Sequence, residues 1–132
     1  MQIINKTKNF VIGDNAALGD TFLSRAKGLM FSKPKDMILV SPKESIKHSA
    51  IHMFFMLYPI DVIWLDRGLR VIDIKKGLPP LRLFKISTWR VYKPKKPAKY
   101  VIELGVGKTK ETDIGDEIAF ESHFLQCFFI NP

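Results

Sequence analysis

The sequence has little cysteine, little glutamine and no long hydrophobic run. Cys127 is the only cysteine, so an intramolecular disulfide is excluded, as is usual for a reducing compartment. Gln2 and Gln126 are the only glutamines while lysines abound, a bias typical of thermophiles. No apolar run reaches the ~20 residues of a transmembrane helix, and no charged start precedes an apolar segment as in a signal peptide. We therefore expect a cytoplasmic protein that does not bind or cross a membrane.

Size and composition predict one domain. A chain of 132 residues, 46% of them hydrophobic, is long enough to bury a single core and too short for two ordinary domains. We therefore treat residues 1–132 as a single domain.

The positive charge is concentrated in one segment. Residues 67–110 carry 13 lysines and arginines against two acidic residues, a net charge of +11. The rest of the chain carries 8 basic and 11 acidic residues, a net charge of −3, and the whole chain has +8. A basic face is a natural partner for polyanions, although a solvated lysine-rich surface would have the same composition.

The first part of the chain predicts a hairpin, a helix and a strand. Short apolar runs at 2–5 and 10–12 flank a polar turn. Asp20 or Thr21 can cap a helix that runs through Phe22 to Leu29 with apolar residues at helical spacing. A further strand is predicted at 37–40 between two prolines.

The central part is an apolar band at 49–66. Pro59 should divide it into strands at 51–57 and 60–65, because proline cannot donate to a strand ladder. The turn at 66–69 and the alternating pattern of residues 70–75 predict that the strands at 60–65 and 71–75 form a hairpin.

Beyond the hairpin, the proline-rich stretch 76–99 predicts a long connection, followed by a strand at 98–104. One helical turn is predicted at 108–112, and closing strands at 115–120 and 124–130. The resulting fold class is α+β and mainly β, a small antiparallel sandwich or distorted barrel with one or two short helices.

Two familiar motifs are incomplete. Gly105 to Thr109 follows a strand as a phosphate loop would, but Ile102 stands where that loop needs its first glycine. His48 and His52, like His123 and Cys127, lie four apart, yet no glutamate follows His48 as a metalloprotease requires. We therefore expect neither a metal nor a cofactor.

Isolated polar groups near the apolar band predict a small-molecule cleft beside the central hairpin, with Arg25 and Asp61 at its polar end. Arg25 could equally form a structural ion pair with Asp61 or Glu103. Pro59 should interrupt strand pairing and leave the Asp61 carboxylate free to face a ligand. The candidate cleft residues are Arg25, Met30, His52, Met53, Met56, Asp61, Trp64 and Glu103.

A second hypothesis is binding of RNA or single-stranded DNA, because aromatic residues interleave with cations between 82 and 100. A structural or protein-interaction module is a third. No serine or cysteine stands in a nucleophile context, so the sequence does not decide whether the protein is an enzyme. The nucleic-acid candidates are Arg82, Lys85, Trp89, Arg90, Tyr92, Lys93, Lys95 and Lys96.

Five segments, taken together, resemble the family catalogued as domain of unknown function 192, and its archaeal members in particular. They lie at 25–30, 37–40, 52–66, 97–104 and 115–116, and the resemblance spans about 18–120. It implies a small, mostly β fold with one or two short helices, and no particular activity or cofactor. Many bacterial relatives have a polar Lys-Asn pair where this chain has Phe54 and Phe55, so a ligand contact made by that pair would be absent here.

Overall fold

The computed structural model describes residues 1–19, 36–52, 58–80 and 91–122, and these form ten strands and no helix. The predicted helix after Asp20 and the predicted strand at 124–130 lie outside the described residues. The helical turn predicted at 108–112 is wrong, because residues 106–111 form successive tight turns. The strands are β1 (Gln2–Asn5), β2 (Phe10–Gly13), β3 (Ala17–Gly19), β4 (Met37–Ser45), β5 (Ile51–His52), β6 (Ile60–Leu65), β7 (Val71–Leu78), β8 (Val91–Tyr92), β9 (Ala98–Gly105) and β10 (Ile118–Glu121).

The described strands form three open sheets. A five-stranded sheet has the order β3-β4-β9-β6-β7, a three-stranded sheet has the order β10-β1-β2, and β5 pairs with β8. All pairings are antiparallel except β3 with β4. The fold is thus mainly β, as predicted, but the described strands do not close into the barrel that was one of the two predicted forms.

Strand β6 is buried on both faces, which explains its unbroken apolar sequence. Ile63 and Leu65 point into a core shared with Ile3 and Ile118 of the three-stranded sheet. Successive side chains of a strand point to opposite faces, so Trp64 points into a second core beside β5. Its indole nitrogen donates a hydrogen bond to the Ser49 carbonyl at 2.8 Å.

Backbone hydrogen bonds join the two larger sheets at one corner. The amide of Val71 donates to the Asp116 carbonyl at 2.9 Å, and the amide of Gly115 donates to the Val71 carbonyl at 2.8 Å. The loop before β10 is therefore fixed against the start of β7.

A polar cluster on that loop ties it to the first hairpin. The Asp116 carboxylate accepts hydrogen bonds from the Asn5 amide at 2.9 Å and the Asp113 backbone amide at 2.9 Å, and the Lys8 ammonium lies 3.0 Å away. Burial alone would raise the pKa of Asp116, but these three donors outweigh it and hold the pKa below its usual value. The Lys8 pKa is raised, chiefly by its hydrogen bond to Asp113.

The Asp116→Asn variant should melt at a lower temperature than the wild type near neutral pH, and the gap should close in acid. A carboxyl whose folded pKa is lowered stabilises the fold above its unfolded pKa, near 3.8. That stability is lost as the pH falls through the pKa of Asp116 in the folded state, which is lower than the unfolded pKa. Thermal melts between about pH 7 and about pH 2.5 measure the gap. A gap that stayed constant over this range would contradict the assignment.

Candidate functional site

The structure describes only part of the predicted cleft. Asp61, Trp64 and Glu103 are described and buried, and His52 is described as a member of β5. Arg25, Met30, Met53 and Met56 lie outside the described residues. The approach of Arg25 and of the His52 side chain to either carboxylate therefore stays a prediction.

The five-stranded sheet separates Asp61 from the other two described side chains. Glu103 lies opposite Val62 and Met37 in the strand register, on the same face as Trp64. Asp61 alternates with Val62 and lies opposite Leu104, on the other face. Because Asp61 lies on the opposite face from Trp64 and Glu103, and because Trp64 is fully buried, these three side chains do not meet in one open cleft.

The Asp61 carboxylate is held by three protein donors. One oxygen accepts the Gly77 backbone amide at 2.8 Å. The other accepts the Gly107 backbone amide at 2.9 Å and the Thr109 hydroxyl at 3.3 Å. Asp61 is also paired in the ladder with Leu104. The expectation that Pro59 leaves this carboxylate free is therefore wrong.

A β-bulge explains the first of these contacts. The register runs from Ile60 opposite Leu78 to Val62 opposite Lys75, so β7 contains one more residue than β6 at this point. Gly77 takes φ +64, which glycine adopts without steric cost. The bulge turns the Gly77 amide toward Asp61, and we call residues 76–77 the bulge.

The second contact comes from the turns after β9, the stretch that resembles an incomplete phosphate loop. The amide of Lys108 donates to the Gly105 carbonyl at 3.1 Å, and Gly107 takes φ +89. The Gly107 amide binds the protein's own carboxylate, Asp61. The Lys108 ammonium lies 3.1 Å from the buried Asp36 carboxylate. The loop thus binds two internal carboxylates.

A cavity of about 310 Å³ opens between the bulge and this loop, and we call it the bulge groove. Lys76 is exposed, and its ammonium has no hydrogen bond or ion pair within the described ranges. Lys110 donates to the Val11 carbonyl at 2.9 Å. A methyl group added to Gly77 or Gly107 would meet no atom within 4 Å, so these walls are bare backbone. The lining residues are Asp61, Lys76, Gly77, Val106, Gly107, Thr109 and Lys110.

The described nucleic-acid candidates lie on a separate surface, a turn beside β7. The Asp73 carboxylate accepts the Lys95 backbone amide at 3.0 Å, and the Lys75 ammonium donates to the Lys93 carbonyl at 3.0 Å. Lys93, Lys95 and Lys96 are exposed. Tyr92 is half-buried, and Arg82, Lys85, Trp89 and Arg90 lie outside the described residues. We call residues 93–96 the basic turn.

Neither a metal cluster nor a membrane span is found where the structure is described. Residues 1–19, 36–52, 58–80 and 91–122 contain no group of three or more histidine, cysteine or acidic side chains arranged to hold a metal. His48 is exposed, with its Nδ1 3.2 Å from the Ser45 hydroxyl, while His123 and Cys127 lie outside these ranges. None of the described residues belongs to a helix that could cross a membrane.

Two solved structures share the fold. A protein of unknown function from Novosphingobium aromaticivorans is 20% identical, with a TM-score of 0.72 over 90% of this chain and 82% of its own. A proposed transcription regulator from Sinorhizobium meliloti is 18% identical, with a TM-score of 0.70 over 89% of each chain. At identities this low, the similarity shows only that this chain has the fold of a class of small, mainly β proteins.

Comparison of the sequence with known proteins identifies the family of this chain. The chain belongs to the DUF192 family, an uncharacterized ACR family whose model matches residues 3–120, so the resemblance is confirmed. The UPF0127 protein of Thermococcus kodakarensis is 43% identical over 122 residues, 89% of this chain and 72% of that protein. The UPF0127 protein of Pyrococcus horikoshii is 38% identical over 119 residues, 88% of this chain and 96% of that protein.

Asp61→Asn should destabilise the protein. The new amide keeps one acceptor oxygen but places an NH₂ group against the amide of Gly77 or Gly107, so one of these two part-buried hydrogen bonds to a carboxylate is lost and two N–H donors face each other. That costs roughly 1–3 kcal/mol, and each kcal/mol lowers the melting temperature of a domain this size by about 4 °C. Asp14→Asn is the matched control, because Asp14 is exposed and no hydrogen bond to it is seen in the described ranges. Equal melting temperatures for the two variants would refute the role given to Asp61.

Proposed function

We propose that the protein binds a small anionic molecule in the bulge groove. The observation that carries the proposal is the Lys76 ammonium, which has no partner among the described residues and lines a cavity whose carboxylate already has three donors. A ligand in the groove can therefore contact the Lys76 ammonium, whereas the Asp61 carboxylate is already bound by three donors of the protein.

The charge balance of the groove supports an anion. Lys76 and Lys110 contribute two positive charges, and Asp61 contributes one negative charge. The partners of the Lys110 ammonium are neutral, namely the Val11 carbonyl and the Phe10 ring at 5.7 Å. Its charge thus remains available, and a net positive concave surface attracts anions more strongly than a flat one.

The size and stiffness of the groove also support a small ligand. A volume of about 310 Å³ lies at the lower end of the range for small-molecule sites. Asp61 fixes both walls, because its two oxygens bind the bulge on one side and the loop on the other. A ligand would therefore lose little affinity to ordering of the protein.

Lys76→Ala should weaken binding of inorganic phosphate and acetate by about tenfold or more, since a charge-assisted hydrogen bond contributes roughly 1.5–3 kcal/mol. Chemical-shift titration at constant ionic strength measures the affinity. Lys47→Ala removes the same charge from an exposed lysine outside the groove lining and should change nothing. Equal affinities for wild type and Lys76→Ala would exclude the bulge groove as the binding site.

Nucleic-acid binding is the second candidate, favoured by the fixed geometry of the basic turn. Asp73 and Lys75 both bind its backbone, so the turn is held in place while Lys93, Lys95 and Lys96 extend from it. These three ammonium groups have no hydrogen bond or ion pair with a described residue. A fixed group of unpaired cations suits a phosphate backbone.

The double variant Lys95→Glu with Lys96→Glu should abolish binding to a single-stranded oligonucleotide at low salt. If all three lysines contact phosphates, the logarithm of the wild-type affinity should fall against the logarithm of salt with a slope of about −2. Fluorescence anisotropy measures both effects. Lys6→Glu with Lys110→Glu is the control of equal charge, at exposed positions on the first hairpin and on the loop after β9. An affinity independent of salt, or equal loss in both double variants, would rule out this surface.

A further inference from the structure

A second cavity, of about 470 Å³, borders the bulge groove, and we call it the loop groove. Lys76 lines both cavities, so they are neighbours. The loop groove is lined by Ile74, Lys76, Thr112, Asp113 and Ile114.

The polar groups of the loop groove already have protein partners. The Thr112 hydroxyl accepts the Asn5 amide at 3.2 Å, and the Asp113 carboxylate lies 2.7 Å from the Lys8 ammonium. Two isoleucines and the Lys76 ammonium remain to meet a ligand. This is the combination that an anion with an apolar body requires.

The apolar wall of the loop groove belongs to a fixed loop. Ile114 is 58% exposed, but the residues beside it are held, because Gly115 donates to Val71 at 2.8 Å and Asp113 donates to the Asp116 carboxylate at 2.9 Å. Ile74 is only partly buried against the core. An apolar surface held open beside a free cation is a feature of ligand sites.

We infer that the ligand is an aliphatic carboxylate, with its head at Lys76 and its chain along Ile74 and Ile114. The inference rests on the proposed function and adds the class of ligand. Asp113 also lines the loop groove, but its carboxylate is paired with the Lys8 ammonium. A second carboxylate at the end of the chain would lie against isoleucine side chains, and the described lining offers it no second cation, so monocarboxylates are preferred over dicarboxylates of equal length.

The test is a chain-length series of acetate, butyrate, hexanoate and octanoate, titrated by NMR at constant ionic strength and below micelle formation. Each methylene that leaves water should tighten binding by up to about fourfold. Octanedioate should bind more weakly than octanoate. Ile114→Ser should flatten the dependence on chain length while leaving acetate binding unchanged. Leu18→Ser is the matched control, since Leu18 is 59% exposed on β3, at the opposite edge of the sheet.

The outcomes separate this inference from the proposed function. If acetate and phosphate bind at Lys76 but affinity does not rise with chain length, the aliphatic ligand is wrong and the anion site stands. If no anion binds, both fail. Equal losses in Ile114→Ser and Leu18→Ser would show nonspecific association with apolar surface and overturn the inference. Uncharged octanol binding as tightly as octanoate would overturn it as well.

Discussion

The contact between the Asp61 carboxylate and two glycine amides determines the geometry of this end of the molecule. A buried carboxylate is costly unless donors satisfy its oxygens, and here a bulge and a loop each supply one amide. Both amides belong to glycines with positive φ, conformations that cost other residues about 1 kcal/mol or more. The carboxylate and the two unusual backbone segments therefore stabilise one another. The bulge groove is the space between them.

The position of the bulge on an edge strand gives Lys75 and Lys76 a structural role, and Lys76 has a candidate binding role as well. β7 is the last strand of the five-stranded sheet, and edge strands that carry lysines and bulges resist pairing with other chains. Lys75 turns to the Trp64 face, where its ammonium lies 5.6 Å from the indole ring. Lys76 turns to the other face and lines both grooves. Protection of the edge accounts for charge at these positions, but it does not account for the cavities beside Lys76.

Periodicity in the sequence predicted the strands that bury apolar side chains, including the whole of β6, and it missed features set by single backbone conformations. The short strand β3 has only Ala17, Leu18 and Gly19, too few residues for a pattern. An isolated aspartate in an apolar band did indicate a need for a partner. The partner could not be identified, because it is formed by backbone amides that turn inward only after β6, β7 and β9 have paired. In the same way, the count of lysines predicted a basic face, but not that Lys75 and Lys108 would be paired internally while Lys76 and Lys96 would not.

The two candidate surfaces depend on the same strand but on different contacts within it. Asp73 and Lys75 fix the basic turn, whereas the bulge at Gly77, held by Asp61, fixes the bulge groove. Side chains that share no partner have nearly independent energetic effects. Removing the Asp61 acceptor should therefore release the groove walls and leave the basic turn in place. A change at Asp73 should release the basic turn and leave the bulge groove in place. If ligand binding and nucleic-acid binding both occurred and both were lost with Asp61, the cause would be movement of β7 as a whole, since no described hydrogen bond links Asp61 to the basic turn.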